Sequence, residues 1–194
     1  MPNVLHSAVF QPELARGETV LWTGKPVLSK NFTLIDIFLV PFSVFFFGFS
    51  VIWVSTVFGE LQEESVPSAF TFLALAIGVP FAAYGLYMML GRFWLKRWIK
   101  SHTYYAVTNK RALAMRLKPR RTLQSAYLNR VSTFSKHVRS DGSGDLLFGE
   151  REPLWQSNAN TGLDFMASHF ASTSPAFFDL EDVEEVYKIV QGQT

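Results

Sequence analysis

The side chains able to carry chemistry are scattered along this sequence rather than grouped. His6, His102, His137 and His169 share no spacing that would bring two imidazoles to one metal ion. No HExxH, phosphate-cradling GxxxxGK or GxSxG pattern occurs. There is no cysteine, which removes disulfides, thiolate zinc sites and cysteine nucleophiles. Asp141 and Asp145 flank Gly-Ser-Gly as a hairpin turn does, and the remaining oxygen ligands of a calcium loop are missing. The expectation is a protein that is not an enzyme and needs no metal or cofactor, so the chemistry left to it is that of charge.

The charges are segregated. From Arg92 to Arg139 every charged side chain is Lys or Arg, whereas acids gather at Glu181, Asp182, Glu184 and Glu185. Lys118, Arg120 and Arg121 crowd one short turn. Together with Arg92, Lys96, Arg97 and Lys100 they are candidate contacts for anionic lipids of an inner leaflet. Each such cation contributes about 1 kcal/mol when it lies within a Debye length of the surface. Against this stand a topogenic role for the group from Arg92 to Lys100 and a merely solvated turn at 118–121. No nucleic-acid-binding signature accompanies the basic block, so a nucleic-acid partner is not expected.

Composition supplies the solvent in which these charges must be placed. The 194 residues carry a net charge of only +2, and 18% are charged, while 15% are aromatic, led by nineteen Phe. That balance makes lipid a candidate environment. Met1 to Arg16 show no basic stretch followed by an apolar core, so a cleaved signal is not expected and the first apolar run is structural. Two runs, Leu34 to Phe58 and Ala69 to Leu90, each exceed the roughly 20 residues that cross a hydrocarbon core. Neither has the polar face of a helix in a soluble bundle. The link between them holds Glu60, Glu63 and Glu64, whereas Lys25 and Lys30 precede the first run and Arg92, Lys96, Arg97 and Lys100 follow the second. Basic flanks stay in the cytoplasm, so both termini are expected there. The layout is a cytoplasmic segment at 1–33, spans at 34–58 and 69–91 joined by a short outer loop at 59–68, and a cytoplasmic domain at 92–194. Trp94 and Trp98 fit one interfacial belt and Trp53 the other.

Within the spans Asp36 is the sole ionisable group. At mid-depth it would mark an ion or proton path. One turn from the cytoplasmic end, its short side chain is expected to reach water or headgroups instead. Pro41 and Pro80 each remove a helix hydrogen bond and are expected to kink their helices. Ala74, Gly78 and Ala82 recur every four residues and line one face of the second helix, where another helix can approach closely. The first helix of the same chain is the simplest partner, and a second copy of the protein is the alternative.

Beyond Lys100 the period changes to that of strands. Thr103 to Thr108 and Arg111 to Leu117 read as a hairpin turning at Asn109-Lys110. Lys118 to Arg121 is a second turn before a strand from Thr122 to Leu128. Val131 to Arg139 leads through the Asp141–Gly144 turn into Asp145 to Phe148. Arg151 to Ser174 reads as a long loop with one strand near Leu163 to Met166. From Asp179 to Val190 the pattern is helical, with Leu180, Val183, Val186, Tyr187 and Val190 on one stripe and Asp179 as the N-cap. The fold class is α+β: a two-helix transmembrane hairpin, then a mostly antiparallel β sandwich with one C-terminal helix.

Several segments together resemble the bacterial pleckstrin-homology (PH) domain membrane proteins. They are Gly17-Glu18 with Val20-Leu-Trp-Thr-Gly-Lys-Pro26, Gly78-Val-Pro-Phe81, Gly85-Leu-Tyr87, Arg92-Phe93 and Thr103-Tyr-Tyr-Ala-Val-Thr-Asn-Lys-Arg111. The Asp141–Gly144 turn, Phe148-Gly149 and the closing helix with Val186-Tyr187 complete the series. The resemblance implies a PH-like β domain behind paired helices at the bacterial inner membrane, and it supplies no reaction. Val20 to Pro26 is expected to add to or pack against that domain. The expected function is a membrane-anchored binding or scaffolding module engaging lipid headgroups, a protein partner or its own copies as a homo-oligomer. The alternative is an oligomeric two-helix component of a transporter or channel, lined by Asp36.

Overall fold

The computed structural model describes residues 4–29, 32, 36–60, 68–149 and 175–193. The chain forms two compact units. One is Phe32–Leu95; the other joins Met1–Asn31 to Lys96–Thr194. The class is α+β, with two long apolar helices, seven antiparallel strands in two sheets and a C-terminal helix among the described residues.

The helical unit contains α2 (Asp36–Glu60) and α3 (Ser68–Leu86). At 1.5 Å per residue α2 extends about 37 Å, more than the roughly 30 Å of a hydrocarbon core. Two helices, Asp36–Gly59 and Ala69–Ser101, are long and apolar enough to cross a membrane, with mean hydropathy 2.3 and 1.8 over an 18-residue stretch of each. Hydroxyls in α2 turn back onto their own helix. Ser43 Oγ donates to the Val40 carbonyl at 2.8 Å, Ser50 Oγ to Phe46 at 2.8 Å and Thr56 Oγ1 to Ile52 at 3.0 Å. Such bonds satisfy the hydroxyls without water. Phe38, Phe45, Ile52, Phe70, Phe72 and Leu73 are all more than half exposed.

The two helices meet through small residues, as the Ala74–Gly78–Ala82 spacing predicts. Ala74 is buried. A Cβ at Gly78 would press on the Trp53 indole and Val54, and one at Gly85 would meet the Phe47 backbone at 2.9 Å. Phe46 packs between Phe81 and Tyr84, its ring 5.7 and 6.2 Å from theirs. Pro41 and Pro80 lie inside continuous helix, and the break in hydrogen-bonding pattern falls instead at Tyr87–Gly91, a π turn. There the Arg92 amide reaches back five residues to the Tyr87 carbonyl. Past the turn the chain continues as α4 (Arg92–Ser101), whose sequence switches from apolar to amphipathic.

The second unit begins with a short helix, α1 (Val4–Ser7), a 3-10 turn (Gln11–Glu13) and the strand β1 (Val20–Gly24). After the helices come β2 (Thr103–Thr108), β3 (Arg111–Arg116) and β4 (Thr122–Tyr127), and the first sheet has the order β1-β2-β3-β4. A second sheet holds β5 (Phe134–Val138), β6 (Gly144–Phe148) and β7 (Ala176–Leu180) in that order, and α5 (Val183–Gln191) closes the unit. As expected, the Val20–Pro26 segment joins the domain, with β1 antiparallel to β2 through Trp22↔Val107 and Gly24↔Tyr105.

Between the sheets, Tyr105, Val107, Leu146, Phe148 and Phe177 pack against Leu180, Val183, Val186 and Val190 around the start and face of α5. Burying each of the larger side chains contributes about 1.5–3 kcal/mol. The opposite face of the first sheet is covered too. Phe10 is fully buried with Ala106, Leu113 and Met115, against Val9, Leu14 and Val20. Hence β2 and β3 are buried on both faces, and alternation, the usual mark of a half-exposed strand, is lost there.

Two expectations need correction. The domain is not 92–194 alone, because β1 and the covering segment around Phe10 come from before the helices. The terminal helix does not begin at Asp179. That residue lies in β7 with φ 52°, and the N-cap is Asp182, whose carboxylate accepts the Glu185 amide at 3.0 Å. The apolar pair Phe177-Phe178 extends into a strand because the former fills the inter-sheet core. The strand expected near Leu163 to Met166 lies outside the described residues.

Candidate functional site: the basic edge of the sandwich

Strand register decides which turns share an edge. Gly24, where the chain leaves for the helices, pairs with Tyr105; Thr103, just after its return, pairs with Arg116; and Arg116 pairs with Thr122. The turn between β3 and β4, carrying Lys118, Arg120 and Arg121, therefore sits at the edge from which both connections to the helices run. In the second sheet Val138 pairs with Gly144 and Gly144 with Leu180, and the Val27 amide donates to the Asp179 carbonyl at 2.8 Å. The Arg139–Ser143 turn thus joins the same edge.

Lys118, Arg120 and Arg121 are all exposed. Arg121 Nη2 donates to Glu13 Oε1 at 2.8 Å, with its side chain still 54% exposed. An exposed pair of this kind contributes little stability and leaves the cation available. Lys25 Nζ lies 4.1 Å above the Tyr104 ring at this edge. The Arg139–Ser143 turn is held by Asp141, whose Oδ1 accepts the Ser143 amide at 3.1 Å and hydroxyl at 2.6 Å, and Gly142 supplies the φ of 81°.

Beneath the edge lies a charge network that sequence reading did not group. Lys100 Nζ contacts Asp179 Oδ2 at 2.7 Å, and Arg139 Nη2 contacts both Asp179 Oδ1 at 3.1 Å and Asp145 Oδ2 at 2.9 Å. Asp145 Oδ1 also accepts the Asp179 amide at 2.7 Å. Lys100 and Asp179 are almost fully buried, so each charge depends on its partner. The left-handed φ of Asp179 belongs to a bulge: β7 advances from Phe177 to Leu180 while β6 advances only from Leu146 to Gly144. Nearby, the buried Tyr105 hydroxyl accepts the Phe178 amide at 3.1 Å, and burial raises its pKa. The one signal in the sequence was Arg139 and Asp145 placed symmetrically about a hairpin turn.

The remaining candidates separate into outward and inward groups. Arg97 is exposed and Trp94 is 71% exposed. Trp98 is half-buried, its ring 5.1 Å from that of His102. Trp53 is 47% exposed while its indole flanks Gly78. Arg92, Lys96 and Lys100, expected as lipid contacts, are buried at spacing i, i+4, i+8 on one face of α4. Asp36, expected to reach water, is buried in the helical unit and ion-paired to Arg92, whose Nε also donates to the Met88 carbonyl at 2.7 Å. An acid in α2 and a base after α3 neutralise each other where neither has solvent, which is why both turn inward. His6 meets Tyr104 edge-on, with ring centroids 5.7 Å apart, whereas His102 binds the Trp98 carbonyl at 2.8 Å; His169 lies outside the described residues.

At the opposite edge, two segments noted in the sequence meet. Glu18 Oε1 and Oε2 accept Arg111 Nε and Nη2, both at 2.9 Å, and Thr108 Oγ1 donates to Oε1 at 2.7 Å. Asn109 Oδ1 accepts the Thr19 amide at 3.1 Å and its amide nitrogen donates to the Gly17 carbonyl at 3.3 Å. Burial opposes ionisation of Glu18, but hydrogen bonds from Arg111, Ala15 and Thr108 and the charge of Arg111 outweigh it, bringing the pKa to about 2.

No family model, curated protein or solved structure matches this chain.

Proposed function

We propose that the chain is a membrane-anchored binding module. In this reading the two apolar helices cross the inner membrane, both ends lie in the cytoplasm, and the Lys118–Arg121 edge meets anionic headgroups. The observation that carries it is the register: β1 precedes the helices, β2 follows them, and the two pair, so the number of crossings between them must be even. The same register puts the basic turn at the edge where the tethers leave. Lys25 and Lys30 before the helices, Arg92 to Lys100 after them, and the acids of the link set the orientation. Burial of Arg92, Lys96 and Lys100 in the folded protein does not weaken this, because topology is chosen during insertion, before tertiary packing.

The order of four strands, three strands and a closing helix supports a PH-like reading of the sandwich. Such domains are docking surfaces. The engagement of Asp36 with Arg92 gives the transporter reading no support.

The absence of cysteine suits a labelling test. Full-length protein with a single cysteine at position 120, or at 110 on the opposite edge, is coupled to a polarity-sensitive dye in nanodiscs. Anionic lipid should shift the signal at 120, high salt should reverse that shift, and position 110 should stay silent. Equal responses at the two positions would reject the assignment of this edge to the membrane.

A further inference from the structure

The edge remote from the tethers carries a cleft of about 460 Å³ lined by Asn109, Lys110, Tyr127, Asn129, Arg130 and Gln193. That volume suits a small molecule rather than a bare ion. Among the described residues its lining contains two cations and no carboxylate. Among the described residues neither Lys110 nor Arg130 is in an ion pair, in contrast to Arg92, Lys100, Arg111, Arg121, Lys136 and Arg139. Lys110 Nζ donates to the Arg16 carbonyl at 3.4 Å, and the Tyr127 hydroxyl and the Asn129 side-chain amide have no hydrogen-bond partner among the described residues.

The walls of this cleft are held in place. Asn109 is fixed to Gly17 and Thr19, and the Lys110 carbonyl accepts the Leu128 amide at 3.0 Å. The Arg130 guanidinium lies 5.5 Å from the centre of the Tyr127 ring, and Arg111, anchored by Glu18, lies 6.0 Å from it. An ammonium, a guanidinium fork, an amide and a phenol around one space make a set of donors suited to an acceptor with several oxygens.

We infer that this cleft binds a small soluble ligand bearing a phosphate group. The location separates it from the membrane reading, since it lies at the edge opposite the tethers and the basic Lys118–Arg121 turn. The chemistry is that of a phosphate held by Lys110 and Arg130, with the remaining volume for an organic moiety beside Tyr127 and Asn129.

The test is calorimetric titration of the full chain, in nanodiscs of zwitterionic lipid, with inorganic phosphate, pyrophosphate and AMP in separate runs. Saturable binding is expected, strongest for AMP, and weakened about tenfold or more by Lys110→Gln and by Arg130→Gln. Both side chains are exposed, and unchanged thermal unfolding of the variants checks that they fold. Lys118→Gln with Arg120→Gln should leave the affinity as it was. Binding of phosphate as tight as AMP would still support an oxyanion site, formed by the two cations alone. Absence of saturable binding for all three probes would overturn the inference, and so would equal losses in the two pairs of variants, which would mean diffuse charge. Loss of AMP binding when the nanodisc contains phosphatidylglycerol, at salt high enough to screen long-range repulsion, would also overturn it, because lipid would then occupy the cleft.

Discussion

Glu18 and Arg111 stand 93 positions apart, with both long helices between them, and form a two-point ion pair at 2.9 Å on each oxygen. The pair closes the sandwich around a chain that has left it and returned. The Arg111 amide also donates to Thr108 Oγ1 at 2.9 Å, so the β2–β3 turn and the residues before β1 are locked by one cluster.

Glu18→Gln and Arg111→Met should each destabilise the folded protein by about 3 kcal/mol, since each leaves a partner buried without its counter-charge. The double variant should lose less than the sum of the two, by a coupling energy measurable in denaturant titrations of the detergent-solubilised chain. Strict additivity would mean that the two residues do not act through each other.

The same carboxylate predicts an acid limit. Its folded pKa of about 2 lies below the ordinary 4.5. The unfolded chain therefore binds the proton more readily, and the stability that Glu18 contributes is complete above about 4.5 and is lost as pH falls towards about 2. Unfolding midpoints of parent and Glu18→Gln, followed against pH, should converge across that window. A constant gap would assign the stabilisation to packing rather than to charge.

In the helical unit, Asp36→Asn should lower stability by about 3–5 kcal/mol, because the Arg92 charge is then buried without its acid. Asp36→Leu combined with Arg92→Met should recover most of that loss, as apolar side chains need no counter-charge in this setting. Thermal unfolding in micelles separates the two outcomes. A double variant no better than Asp36→Asn would point to a role beyond mutual neutralisation.

Gly85 lies against the Phe47 backbone, and Gly78 against Trp53. Gly85→Leu should separate the helices and cost about 1–3 kcal/mol by overpacking. The effect should appear as loss of cross-linking between cysteines introduced at facing positions of α2 and α3. Efficient cross-linking in the variant would show that the helices do not depend on this close approach.

Asp182→Ala should cost about 1 kcal/mol, the usual loss of an N-cap. Asp179→Ala should cost more, about 3 kcal/mol or above, since it strips a buried Lys100 of its partner. Chemical denaturation ranks the two directly, and the reverse order would show that the Lys100–Asp179 pair contributes less than the cap.

Much of this architecture is local and was legible in the residues. Apolar runs longer than a bilayer is thick, small residues every fourth position, and turns at Asn109-Lys110 and Asp141–Gly144 each depend on a few neighbouring side chains. The strands β2, β3, β4 and β6 fall within a residue or so of where their patterns put them.

What the sequence alone determined about this protein was its class, its two long apolar helices and the sign of charge on each stretch. Only the tertiary structure decided which charges face outward. Arg92, Lys96 and Lys100 read as surface cations, yet they are buried, because an acid's position depends on strands and helices far away in sequence: Asp36 for Arg92, Asp179 for Lys100. The first segment was equally opaque, since Phe10 has meaning only once β2 and β3 present an apolar outer face for it to cover. Spacing along a chain reports the face of one element; what covers that face is set by contacts between elements, which no local pattern encodes.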